Sequence, residues 1–167
     1  ALFERLPPVA PERRADVAAA WLARQAPDRD EAERAAMIGD VLRIIEDPVH
    51  ADLFGGDAVG EVPISAIVDG QVIAGTIDRL VVEAHRVRII DFKSGFRVPG
   101  SAERIPAGHI RQMAAYAAAI AQIYPDHAVE VGLLYTAGPV LMPLSRALLE
   151  AHKPGLDRAN QNSGDAA

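Results

Sequence analysis

Two clusters of charge interrupt runs that otherwise have the composition of buried β-strand: Gly75-Thr76-Ile77-Asp78-Arg79-Leu80, then Ile89-Ile90-Asp91-Phe92-Lys93. Apolar strands rarely carry carboxylates unless something pairs with them or binds them. Side chains alternate along a strand. Asp91 and Lys93 therefore share a face, and Phe92 points the other way into packing. Hairpin-like pairing of the two strands would bring Asp78 close to Asp91. Carboxylates about 4 Å apart repel by roughly 4 kcal/mol at an effective dielectric near 20. A divalent cation removes that repulsion, and oxygen-only ligands favour Mg²⁺ or Mn²⁺ over zinc. Such a cation activates water and polarises a phosphoryl oxygen, and Lys93 is placed to stabilise charge developing there or to position the water. Taken singly, D-x-K is more often a structural ion pair, Asp91 with Lys93 or Asp78 with Arg79. The joint pattern on successive strands favours a site.

Around these clusters the chain divides into helical and strand-like stretches. Residues 1 to 6 read as the end of a helix closed by Pro7-Pro8. Pro11 suits the first position of a helix that runs to about Gln25, with Val17, Ala20 and Trp21 on its apolar face. Asp28 or Asp30 can cap the next helix, which carries Ala35, Ile38, Leu42 and Ile45 and ends at Asp47-Pro48. Glu61 to Val68 reads as a strand, Asp69-Gly70 as a hairpin turn and Gln71 to Val82 as a second strand. Pro63 places the first of these at a sheet edge. Arg86 to Lys93 is a third strand and residues 94 to 104 a loop. Pro106 to about Ile123 is an alanine-rich helix. Val129 to Thr136 is a fourth strand, and Val140 to Leu144 is a short fifth. Ser145 caps a last short helix. From Pro154 the sequence is polar and predicts a mobile tail. The order predicts an α/β fold with one mixed sheet of four to five strands flanked by helices.

The 167 residues suffice for one domain with a real core. There is no cysteine, which excludes disulfides, thiolate metal sites and a cysteine nucleophile. The absence of cysteine suits a cytoplasmic setting, and no membrane partner is expected, because no apolar run is long enough to span a bilayer and no signal-peptide pattern is present. The formal charge of −6 counts against a domain that grips nucleic acid unaided. It does not count against a hydrolytic domain supplied with substrate by another module. No glycine-rich phosphate loop is present, so no ATP site is expected here.

Other candidates are weaker. Gln112 and Tyr116 lie four apart on the alanine-rich helix and share a face, a pattern that suits either contact with a substrate backbone or a tyrosine at a core edge. His109 lies one turn earlier. Glu61 is either a further acid near the site or a solvated strand end. His50 and His85 lack ligand spacing and read as surface residues. Gly75 marks a close approach or a bulge. Residues 28 to 33 form a solvated acidic helix start.

Gly75-Thr76-Ile77-Asp78-Arg79, Ile90-Asp91-Phe92-Lys93 and Gln112-Met113-Ala114-Ala115-Tyr116 together resemble the nuclease motifs of the RecB-like branch of the PD-(D/E)XK superfamily. Within it, the similarity is closest to the C-terminal nuclease domains of AddA subunits in bacterial AddAB helicase–nucleases. The resemblance implies a restriction-endonuclease-like core over residues 1–153, followed by the tail at 154–167. It implies Asp78 and Asp91 as metal ligands with the Phe92 carbonyl as a third, and Lys93 as the catalytic lysine. Gln112 and Tyr116 are then residues that place DNA. The implied cofactor is Mg²⁺ or Mn²⁺. The implied partners are DNA ends delivered by a helicase motor and an AddB-like subunit. The family's first motif sets a histidine just before a helical L-L/F-E segment. Leu2-Phe3-Glu4 matches the segment, and the sequence starts at Ala1, so the histidine would lie just upstream of it. The expectation is a truncated piece of a longer polypeptide. Absence of cysteine suits AddA better than its AddB partner, whose nuclease domain is associated with an iron–sulfur cluster.

The leading expectation is a metal-dependent, exonuclease-type deoxyribonuclease that processes double-strand ends for recombinational repair. The alternatives are a catalytically inactive docking or DNA-guiding module and a stand-alone structure-specific nuclease.

Overall fold

The computed structural model describes residues 2–94 and 97–155. Helices α1 (Leu2–Arg5), α2 (Pro11–Gln25) and α3 (Glu31–Ile45) lead through a 3₁₀ turn (Pro48–Phe54) into strands β1 (Ala58–Val68), β2 (Gln71–Val82) and β3 (Arg86–Lys93). Helix α4 (Ala107–Ile123) crosses to β4 (Ala128–Tyr135), and β5 (Val140–Leu144) and α5 (Arg146–Glu150) follow. The sheet order is β1-β2-β3-β4-β5. All neighbours are antiparallel except β3 and β4, which α4 connects in parallel. A parallel pair needs such a crossover because a tight turn cannot return the chain in the same direction.

Local chemistry accounts for the punctuation. Asp30 rather than Asp28 caps α3, in a reciprocal capping box with Glu33. Asp69 and Gly70 both adopt left-handed backbone (φ 48° and 76°), as a type I′ hairpin requires. Pro63 lies on β1, the sheet edge. The described part of the predicted tail is Pro154 and Gly155; 156–167 lie outside the described residues. Among the described residues no helix is long and apolar enough to cross a membrane.

Alternation along the central strands divides the core into two layers. Leu80, Val87, Ile89, Val131 and Leu133 pack toward α4 and α5. Val81, Ile90 and Leu134 pack toward α1, α2, α3 and the 3₁₀ turn. Several expectations need adjustment. Strand β1 begins three residues earlier than its apolar pattern suggests, and β4 ends at Tyr135, leaving Thr136 outside it. Helix α2 buries Ala18 and Leu22, while Val17 and Trp21 are half-buried and Ala20 is exposed. The 3₁₀ turn was not foreseen, and it buries His50 beside Leu53.

The alternation also breaks once, and the break positions the site. On β2, Gly75 and Ile77 face α4, yet Arg79 reaches α1 and Leu80 faces α4. On β1, Val62 and Ile64 pack on the α4 side while Gly60 lies under Glu4 of α1. Both strands therefore exchange faces at Glu61 and Asp78. The pairs Gly60–Arg79 and Val62–Ile77 on either side set these two residues opposite each other. Glu61 holds a left-handed backbone (φ 51°). This conformation is costly for a residue with a Cβ and typical of a locally coiled ribbon. Beyond this row the β1–β2 ribbon parts from β3, whose pairing with β2 covers Arg79 to Val82.

Candidate active site

Asp78 stands where β2 leaves β3. The last ladder pair is Arg79 with Ile90, so one further step sets Asp78 opposite Asp91. Its carboxylate then replaces the missing strand partner: the Phe92 N–H donates to Asp78 Oδ2 at 2.8 Å. Burial raises the Asp78 pKa above the ordinary carboxylate value, and the negative charge of Asp91 adds to that rise. The Phe92 N–H and the Lys93 ammonium oppose it without reversing it. The two acids are thus electrostatic neighbours, as the strand pattern led one to expect.

Asp91 and Lys93 share the α4 face. Asp91 is 6 % exposed and Lys93 is 8 % exposed. Lys93 Nζ lies 2.7 Å from Asp91 Oδ2 and 3.3 Å from Gln112 Oε1. Gln112 Nε2 in turn donates to the Tyr116 hydroxyl at 3.3 Å. The helical spacing of Gln112 and Tyr116 therefore joins both to the lysine. Tyr116 ends over Gly75, where a Cβ would meet its hydroxyl and lie 2.9 Å from its Cζ. Gly75 is thus a close-approach position. His109 is on this side as well: burial lowers its pKa, the Lys93 charge adds to that, and Asp91 opposes it.

Gly75→Ala tests this arrangement. The buried Tyr116 ring must move to admit the methyl group, breaking its contact with Gln112. The expected result is a loss of about 1–3 kcal/mol in a denaturant melt, the usual cost of overpacking, together with slower turnover. Wild-type stability would show that Tyr116 is not packed against this glycine.

The opposite face is held by α1. Arg79 is buried and donates from Nη2 to the Phe3 carbonyl at 2.6 Å and to Glu4 Oε1 at 3.0 Å. Its guanidinium carbon lies 5.2 Å from the Phe54 ring centroid. Phe92 stacks on Phe3 at 4.4 Å between centroids. Phe92 therefore points into packing, as alternation predicts, and its backbone beside Asp78 is fixed from behind by α1. Of the two ion pairs the sequence suggests, Asp91 with Lys93 forms, whereas Arg79 pairs with Glu4 in place of Asp78. Burial raises the Glu4 pKa despite Arg79, with Glu61 and Asp78 contributing in the same direction. Neither Glu4 nor Arg79 stood out as a site residue in the sequence. The available signal was an arginine within an apolar strand, which needs a buried acceptor. Glu61 is exposed in the same row as Asp78, and His85 is exposed, as expected.

The residues present fit a hard divalent cation. The donors are oxygen only: the Asp78 and Asp91 carboxylates, with the Phe92 carbonyl between them in sequence. Among the described residues no group of three histidine, cysteine or acidic side chains forms a closed cage. Mg²⁺ is commonly held by one or two carboxylates and keeps several waters, whereas structural zinc takes four nitrogen or sulfur ligands.

Comparison with known proteins agrees with this chemistry. A sequence profile described as the PD-(D/E)XK nuclease superfamily matches residues 1–157. No curated protein matches the chain. The crystal structure of SSO0001 resembles it with a TM-score of 0.36 and 14% identity, over 80% of this chain and 66% of that one. The chain thus spans just under two thirds of that protein's length, and the likeness is too distant to inform the site. The mixed five-stranded sheet flanked by helices is the restriction-endonuclease-like core. The chain belongs to the PD-(D/E)XK nuclease superfamily.

Proposed function

We propose that residues 1–153 are the metal-dependent nuclease domain of a RecB-like, AddA-type helicase–nuclease. In this reading it hydrolyses phosphodiester bonds of DNA in the cytoplasm, in an exonuclease mode, during processing of double-strand ends for recombinational repair. The observation that carries the reading is Lys93, which touches Asp91 on one side and Gln112 on the other, next to Asp78. Asp78, Asp91 and the Phe92 carbonyl would hold Mg²⁺ or Mn²⁺. The bound cation would supply an acidified water and a polarised phosphoryl oxygen. Lys93 would place its ammonium against the negative charge that builds up on the phosphate. Gln112 and Tyr116 would fix Lys93 from α4, with the partly exposed Gln112 left to guide the DNA backbone.

The charge distribution is compatible with DNA. The chain is acidic overall, yet residues 94–111 carry three arginines (Arg97, Arg104, Arg111) against one glutamate. All three are exposed, Arg97 and Arg104 on the approach to α4 and Arg111 near its start. Phosphate contacts need such cations. The remaining grip would come from a linked motor and an AddB-like subunit.

The test is cleavage of end-labelled single-stranded DNA by the intact protein with Mg²⁺ or Mn²⁺, with chelator as control. Cleavage that disappears in Asp91→Ala and Lys93→Ala is the expected result. DNA binding with no cleavage under any divalent cation would replace this reading with an inactive guiding module.

A further inference from the structure

Tyr135 is the largest side chain in the core with essentially no exposure, at 1 %, and its hydroxyl has no hydrogen-bond partner among the described residues. A buried hydroxyl is normally satisfied, by protein or by ordered water. A tyrosine at a purely apolar position would be better replaced by phenylalanine. The position is not purely apolar. Tyr135 is the last residue of β4 and pairs in register with Lys93, the last residue of β3. In a parallel ladder, residues in register point to the same face. Tyr135 therefore shares the α4 face with Asp91 and Lys93. Asp91 acts on it electrostatically, raising its pKa further than burial does alone. The phenol is thus a proton donor throughout the neutral range.

Asp91 has a use for such a donor. One carboxylate oxygen, Oδ2, is engaged by Lys93. Carboxylates that bind cations are usually oriented by further hydrogen bonds, which fix the plane of the group. We propose that Tyr135 is a positioning residue of the nuclease site, its hydroxyl holding the Asp91 carboxylate through one buried water. The hydroxyl would supply one polar partner of that water and Asp91 another, the lower end of the roughly two to four partners a buried water takes. The inference rests on the nuclease reading for its kinetic consequence, but not for its consequence at Asp91.

The test is Tyr135→Phe in the intact protein, which removes one oxygen and keeps the ring. The positioning role predicts that turnover on DNA falls by about 10- to 100-fold, the usual effect of losing a partner that orients a ligand, with KM for DNA unchanged. Mn²⁺ affinity measured by calorimetry should weaken, by about 10-fold or more. The melting temperature should fall by a few degrees at most, because phenylalanine fills the same space and a single hydrogen bond is lost. Wild-type turnover and Mn²⁺ affinity with an equal or higher melting temperature would overturn the proposal, leaving the hydroxyl as a tolerated orphan. A loss of turnover with Mn²⁺ affinity unchanged would overturn it too, since the hydroxyl then does not act through Asp91. If the wild-type protein binds Mn²⁺ but cuts no DNA, the nuclease reading fails, and the calorimetric comparison still decides the role of Tyr135.

Discussion

Lys93→Ala should destabilise the metal-free protein by roughly 3–5 kcal/mol, the range seen when one partner of a buried ion pair is removed. Lys93 and Asp91 are both nearly inaccessible and sit 2.7 Å apart. Without the ammonium, the carboxylate keeps its desolvation cost and loses its compensation. The double variant Asp91→Asn/Lys93→Met should recover most of that loss, since it removes both charges and keeps similar volume. A double-mutant cycle in chelator, read from denaturant melts, should therefore show strong coupling between the two sites. Turnover should respond differently. It should fall by about 10³-fold in both single variants and stay low in the double variant, because stability does not restore the charge that acts on the phosphate. Additive stability effects would mean that the pair is effectively solvated.

Asp78→Asn should separate stability from activity with the opposite sign. The folded-state pKa of Asp78 is raised, first by burial and then by Asp91. The folded protein thus binds this proton more tightly than the unfolded chain does. The stabilising contribution is present at low pH, below the unfolded value near 3.9. It is lost as the pH rises through the folded value. At pH 8 in chelator the ionised group works against the fold, so the asparagine variant should melt higher than wild type. The gain should be modest, about 2–4 °C for a chain of this size, because solvent reaches a half-buried carboxylate. The amide oxygen can still accept from the Phe92 N–H. The difference should shrink toward zero near pH 4, and the variant should be inactive at every pH. A variant that melts lower than wild type at pH 8 would contradict this account of the site's electrostatics.

These expectations depend on features of unequal visibility in the sequence. The D-x-K face was readable because alternation in a strand is strict, and it correctly separated Asp91 and Lys93 from Phe92. Helical spacing likewise joined Gln112 to Tyr116. Asp69-Gly70 gave its hairpin because few dipeptides accept two consecutive left-handed residues. The exchange of faces at Glu61 and Asp78 was not readable. A glutamate carries no mark of a left-handed backbone, and simple alternation along β2 gives no warning that Arg79 turns toward α1. For the same reason the contact of Arg79 with Glu4 and the Phe3 carbonyl was missed, since it spans about seventy-five positions of chain. Tyr135 was hidden in an apolar strand, where an aromatic residue is the ordinary choice. His50 was read as exposed because a histidine between helix and strand usually is; the 3₁₀ turn buries it.

The arrangement also limits the negative charge presented around the acid pair. Lys93 pairs with Asp91 and the Phe92 N–H donates to Asp78, while Glu4 is held by Arg79. Much of the remaining negative charge is on the helical surface, for example at Asp28, Asp30, Glu31 and Glu33. At physiological salt the Debye length is about 8 Å, so exposed charges farther away than this act only weakly on the site.

The most direct test of the central claim is a calorimetric titration of Mn²⁺ into the intact protein and its Asp78→Asn and Asp91→Asn variants. The account predicts saturable binding by wild type that is lost in both variants. Binding that survives both substitutions, or no binding by the wild-type protein, would contradict the assignment of this acid pair as the cation site.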